Sequence, residues 1–183
     1  FCLSRGLGDV YKRQNLNYGN NNREGMIKAV NAIITTTPFT IADIICWKKR
    51  TALPNNCSAN KLTRLWECVF VLCRKNEITT FHCNKKIKSY RKNGQASYEN
   101  IFNYIEAKNN DGPCPYNKAT FSTELCSQLL NIYAPKGAIV YDPFMGSGTT
   151  AVACKQMGIK YLGSEISENQ CKWAEERIDK LDT

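Results

Sequence analysis

The stretch "DPFMGSGTT", residues 142–150, decides how this 183-residue chain is read. Before it, "AIVYDPF" is an apolar run of strand length; after it, "TTAVACKQM" is helical, with Gly158 as its stop. An acidic residue closes a strand and a glycine turn opens a helix. Gly146 and Gly148 clear side chains from a place where a ligand could meet backbone. Thr149 and Thr150 begin a helix whose first N–H groups favour a carboxylate or other anion.

The flanks extend the pattern. "STELCSQLLNIYA" (122–134) reads as a helix, with Ser122 or Thr123 as cap, Glu124 in its first turn and an apolar face of Leu125, Leu129, Leu130 and Ile132. Pro135 to Gly137 ends it. "IKYLGSEI" is a second strand, and "SENQCKWAEERIDKL" is a closing helix with Ser167 as cap. Strand–helix–strand–helix order predicts parallel strands joined by right-handed crossovers, hence an α/β fold. Upstream, 23–34 is helical and ends before Pro38, while 40–49 and 65–75 read as strands that finish in positive charge. The link between those strands is polar, with Pro and Asn punctuation. Residues 76–116 are polar, basic and aromatic, with a short helix expected near 97–107.

A ligand in such a sheet lies beyond the carboxyl ends of the strands. Asp142 and Glu165 stand at those ends, where a carboxylate can accept both hydroxyls of a ribose. Two cofactors fit. Gly146-x-Gly148-x-x-Ala151 matches a dinucleotide pattern and would suit NAD; S-adenosylmethionine fits the same turn. No Gly-Lys-Ser/Thr follows, which excludes a P-loop.

The residues before the glycines favour the second cofactor. Asp-Pro-Phe leading into Gly-Ser-Gly-Thr-Thr resembles the S-adenosylmethionine loop of amino-methylating DNA methyltransferases of the beta class. "YNKATFSTELCSQLL" (116–130) resembles that family's segment before the loop, keeping Ala119, Phe121 and Leu125 but carrying Asn117, Lys118 and Ser122 where His, Pro and Pro are usual. "ADIICWKKRTALP" and "RLWECVFVLCRK" are similar to its late strands, with Trp47 and Lys49 in a Trp-x-Lys signature. The likeness covers roughly 24–75 and 113–180. It implies a circularly permuted Rossmann-like S-adenosylmethionine-dependent methyltransferase fold, here lacking its first strands. Residues 15–75 would be the late-strand part, 76–116 a target-recognition insertion, and 117–183 the cofactor-binding part.

The resemblance also implies roles. Asp142, Pro143, Phe144, Gly146, Ser147, Gly148, Thr149 and Thr150 would form the cofactor loop, Glu165 would bind ribose, and Lys118, Ala119, Thr120 and Phe121 would line the methionine end. Double-stranded DNA would be the substrate, and a cognate restriction endonuclease a further partner. Phosphate contacts would fall to Lys48, Lys49, Arg50, Lys85, Lys86, Lys88, Arg91 and Lys92, which makes binding fall steeply with salt.

The family's catalytic motif is Asp, Asn or Ser followed by Pro-Pro-Tyr/Phe. An exocyclic amine is a poor nucleophile because its lone pair is conjugated with the ring. The motif's oxygens accept hydrogen bonds from that amine and aim it at the methyl sulfonium, while the aromatic stacks on the flipped base. The chain contains no Pro-Pro. "TTTPFT" (35–40) lacks the first Pro and reads as a turn. "GPCPY" (112–116) resembles the Pro-Cys of cytosine-C5 enzymes but precedes the cofactor loop, whereas theirs follows it. No catalytic residue is assigned. Without the motif's strand and its neighbour, the two halves of the chain lose the strands that join them, so the isolated chain is expected to be marginally stable and inactive. A catalytically dead DNA-binding remnant, an NAD enzyme and an RNA methyltransferase are the rivals.

Net charge is +9, and Lys48 to Lys92 alone hold twelve Lys or Arg against Glu67 and Glu77, which points to a polyanion. The ten cysteines lack Cys-x-x-Cys spacing, so reduced thiols in the cytoplasm and no metal are expected. No apolar run approaches membrane-spanning length. Residues 1–14, "FCLSRGLGDVYKRQ", resemble translated sequencing-adapter, so the genuine sequence is expected to start upstream of Asn15.

Overall fold

The computed structural model describes residues 2–4, 10–11, 24–53, 59 and 62–182. Most of 1–23 lies outside the described residues, and with it the reading of 1–14 as foreign sequence. So does most of the linker between the two upstream strands, including Lys61.

In chain order the elements are β1 (Cys2–Ser4), β2 (Val10–Tyr11), α1 (Gly25–Thr36), β3 (Phe39–Leu53), β4 (Arg64–Arg74), β5 (Ile87–Tyr90), β6 (Ala96–Tyr98) and β7 (Tyr104–Ala107). They continue with α2 (Thr123–Tyr133), β8 (Ile139–Asp142), α3 (Thr149–Gln156), β9 (Lys160–Gly163) and α4 (Glu168–Asp179). Three sheets form, ordered β1-β8-β9, β2-β4-β3-β7 and β5-β6. The expected parallel pairing holds, with Ile139 to Asp142 running beside Lys160 to Gly163. β8 and β9 do not pair with the β3–β4 sheet among the described residues; β1 lies antiparallel along the other edge of β8.

One core joins the two larger sheets. Ile45, Trp47, Val69 and Val71 from β3 and β4 pack with Leu125, Leu129 and Leu130 of α2, with Val140 of β8 and with Ala153 and Cys154 of α3. Each large apolar side chain buried there contributes about 1.5–3 kcal/mol. Helix α2 starts as the sequence predicts: Ser122 Oγ accepts from Leu125 N–H at 3.2 Å. Gly158, at φ +66°, ends α3.

One expectation needs correction. No helix forms over 97–107: β6 ends at Tyr98, and Tyr104 to Ala107 extend as β7, parallel to Cys46 to Lys49 of β3. The buried Ile105 and Ala107 alternate with exposed Tyr104 and Glu106, a period of two that four residues are too short to announce. Helix α1 forms as the spacing predicts, shifted to Gly25–Thr36; none of its residues is fully buried, and Met26, Val30, Ile33 and Ile34 are half-buried. Ser167 occupies the N-cap of α4 as the sequence predicts, although its side chain makes no cap bond.

The direction of α2 orders the rest. It leads through one turn into β8, so its N-terminus lies where β8 ends and its C-terminus lies where β8 begins. The ends of β3 and β7 also reach the N-terminal edge: Arg50 pairs with Glu124, and Lys108 N–H donates to the same carboxylate at 3.0 Å.

Candidate functional site

At the end of β8 the turn is built by its own acids. Asp142 is 6% exposed; one oxygen accepts from Thr150 Oγ1 at 2.6 Å and the other from Phe144 N–H at 3.1 Å. Glu165, from the end of the neighbouring strand, accepts from Gly146 N–H at 2.8 Å and Ser167 N–H at 2.9 Å. A carboxylate offers about four lone-pair sites, so two remain for a ligand's hydroxyls. Met145 N–H donates to Ser164 O, and Ser164 N–H to Asp142 O, which ties the loop to the turn after β9.

Gly148 is the N-cap of α3 at φ +78°, and a Cβ there would lie 2.6 Å from Ala174 Cβ. Glycine lets the loop lie against α4. Thr149, Thr150 and Ala151 open α3 with N–H groups that have no acceptor inside the helix. Beside the acids, Phe144 and Ile166 present exposed apolar surface at the strand ends. Ile166 carries no signal beyond following Glu165.

The segment before α2 is brought to the same place. Phe121 O accepts from Thr149 Oγ1 at 3.3 Å. Asn117, which stands where His is usual, donates to Gln170 of α4 at 3.0 Å and holds Ala119 N–H at 2.9 Å. Thr120 and Phe121 are half-buried, whereas Lys118 and Ala119 are exposed.

Arg177 was not found from the sequence. Its guanidinium donates to Ser147 O at 2.7 Å and to Thr149 Oγ1 at 3.2 Å, and it pairs with Asp111 at 3.1 Å. Asp111 in turn accepts from Thr123 N–H at 3.0 Å. One side chain of the last helix therefore joins the loop to the start of α2. A small cleft opens beside it, lined by Asp111, Cys114, Thr120, Phe121, Trp173 and Arg177.

The basic residues divide. Lys48 pairs with Glu106 at 2.7 Å, Lys49 with Glu67 and Arg50 with Glu124, so the three on the loop edge are already matched by carboxylates. Their expected phosphate contacts would have to compete with these ion pairs, which are weak where they are exposed. Lys85, Lys86, Lys88, Arg91 and Lys92 are exposed, and no carboxylate of the described residues pairs with them. "TTTPFT" lies where α1 passes into β3, as a turn, and Cys114 lines the cleft. Burial, and then the Asp142 carboxylate, push the Cys154 thiol beneath the loop up to about 12. Among the described residues no helix is long and apolar enough to cross a membrane.

A family model described as DNA methylase, of the N6/N4 class, matches residues 9–176. The chain belongs to the N6/N4 DNA methylase family. It is 44% identical over 68 residues to the type II methyltransferase M.MjaII of Methanocaldococcus jannaschii, covering 37% of this chain and 13% of that protein. It is 26% identical over 162 residues to M.HinfI of Haemophilus influenzae, covering 85% of this chain and 44% of that protein. The chain thus spans less than half the length of these relatives. Among solved structures it is similar to PvuII DNA methyltransferase (cytosine-N4-specific), at a TM-score of 0.63 and 15% identity over 84% of this chain and 56% of that one. The M1.HpyAVI–SAM complex gives 0.59 and 23% over 84% and 69%. At these identities the structures carry the α/β fold, which is the fold class expected from the sequence.

Proposed function

We propose that this chain is the cofactor-holding part of a beta-class DNA methyltransferase, which moves a methyl group from S-adenosylmethionine to adenine N6 or cytosine N4. The observation that carries the reading is the convergence of Asp142, Gly146, Gly148 and Glu165 at the ends of two parallel strands. In this reading Glu165 holds the ribose through its two remaining lone-pair sites. Phe144 and Ile166 flank the adenine, and the α3 N-terminus faces the methionine carboxylate. Thr120 and Phe121 close the methionine end, with Lys118 and Ala119 at its rim. Membership of the family, and M1.HpyAVI having been crystallised with SAM, support the cofactor.

The groups that would aim the amine are not assigned within this chain, which contains no Pro-Pro. A segment outside it carries the Asp, Asn or Ser-Pro-Pro-aromatic motif, and a parallel strand bearing that motif would lie along the β8 edge that β1 takes here. The permuted order, with late strands before the cofactor loop, is that of the beta class. The chain alone is then inactive, and double-stranded DNA is the substrate of the whole protein.

Calorimetric titration tests this. S-adenosylmethionine should bind the chain, and NAD should not compete. Glu165→Gln should weaken binding about tenfold, the cost of roughly 1.4 kcal/mol at the ribose. Phe144→Ala, which alters an exposed side chain, should also weaken it without unfolding. Equal affinity in both variants sinks the site assignment, and displacement by NAD favours a dinucleotide enzyme.

A further inference from the structure

Away from the glycine loop, β3 and β4 place two cysteines opposite each other. Cys46 and Cys68 are register partners in the antiparallel pair, and the register runs unbroken from Asp43 to Lys48. Side chains alternate along a strand, and partners on neighbouring strands share a face. Ile45 and Trp47, each 1% exposed, point into the core, so Cys46 between them lies on the outer face with Cys68 beside it. Both thiols are free and half-buried. Ile44, Trp66 and the neighbouring Tyr104 of β7 are exposed on the same face.

Backbone hydrogen bonding sets how close the two come. Cys46 N–H donates to Asn103 O at 2.9 Å, beside β7, so its backbone polar groups turn away from β4. Asn103 also donates to Ile44 O at 3.2 Å on that side. Cys46 and Cys68 are therefore a non-hydrogen-bonded pair, the closer of the two antiparallel kinds, with Cα atoms about 4.5 Å apart. A disulfide needs Cα atoms roughly 4.4–6.8 Å apart and Cβ atoms that do not diverge. Burial, and then Cys46, raise the Cys68 pKa, so the two sulfurs already sense each other and Cys68 keeps its proton longer. Cys126 and Cys154 also influence each other, but both are fully buried, and burial pushes both thiols up, Cys154 to about 12.

We infer that Cys46 and Cys68 form a redox-active dithiol, which a low-molecular-weight disulfide such as oxidised glutathione converts to a bridge between β3 and β4 of the folded chain. The Cys46 thiolate attacks one sulfur of that disulfide and releases the first small thiol. Cys68 then gives its proton to solvent and attacks the Cys46 sulfur, which releases the second. The two cysteines lose two electrons and two protons, and the small disulfide takes them up. Once Cys46 is a mixed disulfide it carries no charge, so its part in raising the Cys68 pKa vanishes at the step where Cys68 must ionise. The bridge closes the loop that runs through the β3–β4 linker, which restricts the unfolded chain. It lies in the sheet that does not hold the glycine loop.

The test is incubation of the 183-residue chain with oxidised glutathione at pH 8, quenched with N-ethylmaleimide and read by peptide mass spectrometry. Cys68 and Cys73 share a tryptic peptide, so fragment ions assign the site. Wild type should give peptides joined through Cys46 and Cys68, faster in buffer than in urea. Its urea midpoint should rise on oxidation and return with dithiothreitol. Cys68→Ser should stop at a glutathione adduct on Cys46, with no shift of midpoint. In Cys46→Ser, Cys68 should take up glutathione several-fold more slowly than Cys46 does in Cys68→Ser. The inference is overturned if adducts accumulate on both residues of wild type without a bridge, or if the bridge forms no faster in buffer than in urea. It is also overturned if Cys126 and Cys154 become bridged at the same rate, because the reaction would then report unfolding.

Discussion

The guanidinium of Arg177 donates to the carbonyl of Ser147 at 2.7 Å, which fastens the last helix to the middle of the glycine loop. Its second nitrogen reaches Asp111 at 3.1 Å, and the side chain is one-fifth exposed. Hydrogen bonds from a charged group are worth about 1.5–3 kcal/mol, and removing the donor also strands a carbonyl and a carboxylate. Arg177→Ala should therefore weaken S-adenosylmethionine binding by about tenfold or more. Lys should rescue only in part, because one ammonium cannot span the loop and Asp111 as a planar fork does. Asp111→Asn should weaken binding less, since the Ser147 bond survives. Titration calorimetry on the three variants decides; equal affinity in Arg177→Ala removes the loop-positioning role.

A Cβ on Gly148 would sit 2.6 Å from Ala174 Cβ, and the residue holds φ +78°. Gly148→Ala should destabilise the chain by about 2–4 kcal/mol, with one part from the clash and another from the left-handed backbone. Ala174→Gly should restore only some of the first part, because the Ala174 Cα also lies 3.0 Å from that Cβ, and none of the second. Chemical denaturation of the single and double variants separates them: complete recovery would mean that the backbone conformation costs nothing here.

What could be read from the sequence was local. Asp142, the two glycines and the start of the helix after them lie within nine residues, and Gly158 and Ser122 mark their helix ends by type. The parallel β8–β9 pair followed from element order alone. Residues 104–107 were misread because their partner, β3, lies more than fifty residues upstream and only that pairing makes them a strand. Arg177 and Asp111 meet across 66 residues, and nothing near either one announces the contact. The ion pairs of Lys48, Lys49 and Arg50 were not legible, because the glutamates that match them come from β7, β4 and α2. The shape of the loop was legible; what braces it and what neutralises its surroundings required the fold.

Thr150 tests the buried acid. Its hydroxyl donates to Asp142 at 2.6 Å in a site where both side chains are buried. Thr150→Val keeps the shape but leaves a carboxylate oxygen without its partner, which should cost about 1–3 kcal/mol. Thr150→Ser keeps the donor and should cost less than half as much. Thermal unfolding of the pair checks this. A Val variant as stable as wild type would mean that water replaces the hydroxyl.

Cys154 gives a prediction in pH. Its thiol is fully buried beside Asp142, and its pKa rises from 9.0 to about 12, first through burial and then through the carboxylate. The raised value means that the folded chain keeps a proton which the unfolded chain releases above about pH 9. Between about pH 9 and 12 the unfolded state binds fewer protons, so stability falls as pH rises, by at most about 1.4 kcal/mol per unit from this thiol, and it is fully present below pH 9. Cys126 is pushed in the same direction by burial and by Cys154. Alkylation with iodoacetamide at pH 8 should therefore modify the half-buried Cys46, Cys83, Cys114 and Cys171, with Cys68 slower because burial and Cys46 raise its pKa, and spare Cys73, Cys126 and Cys154 until the chain unfolds. Mass spectrometry after partial labelling reads this directly. Rapid labelling of Cys154 in the folded chain would show that the layer between α3 and the glycine loop opens, and that the loop is not held as Asp142, Thr150 and Arg177 hold it here.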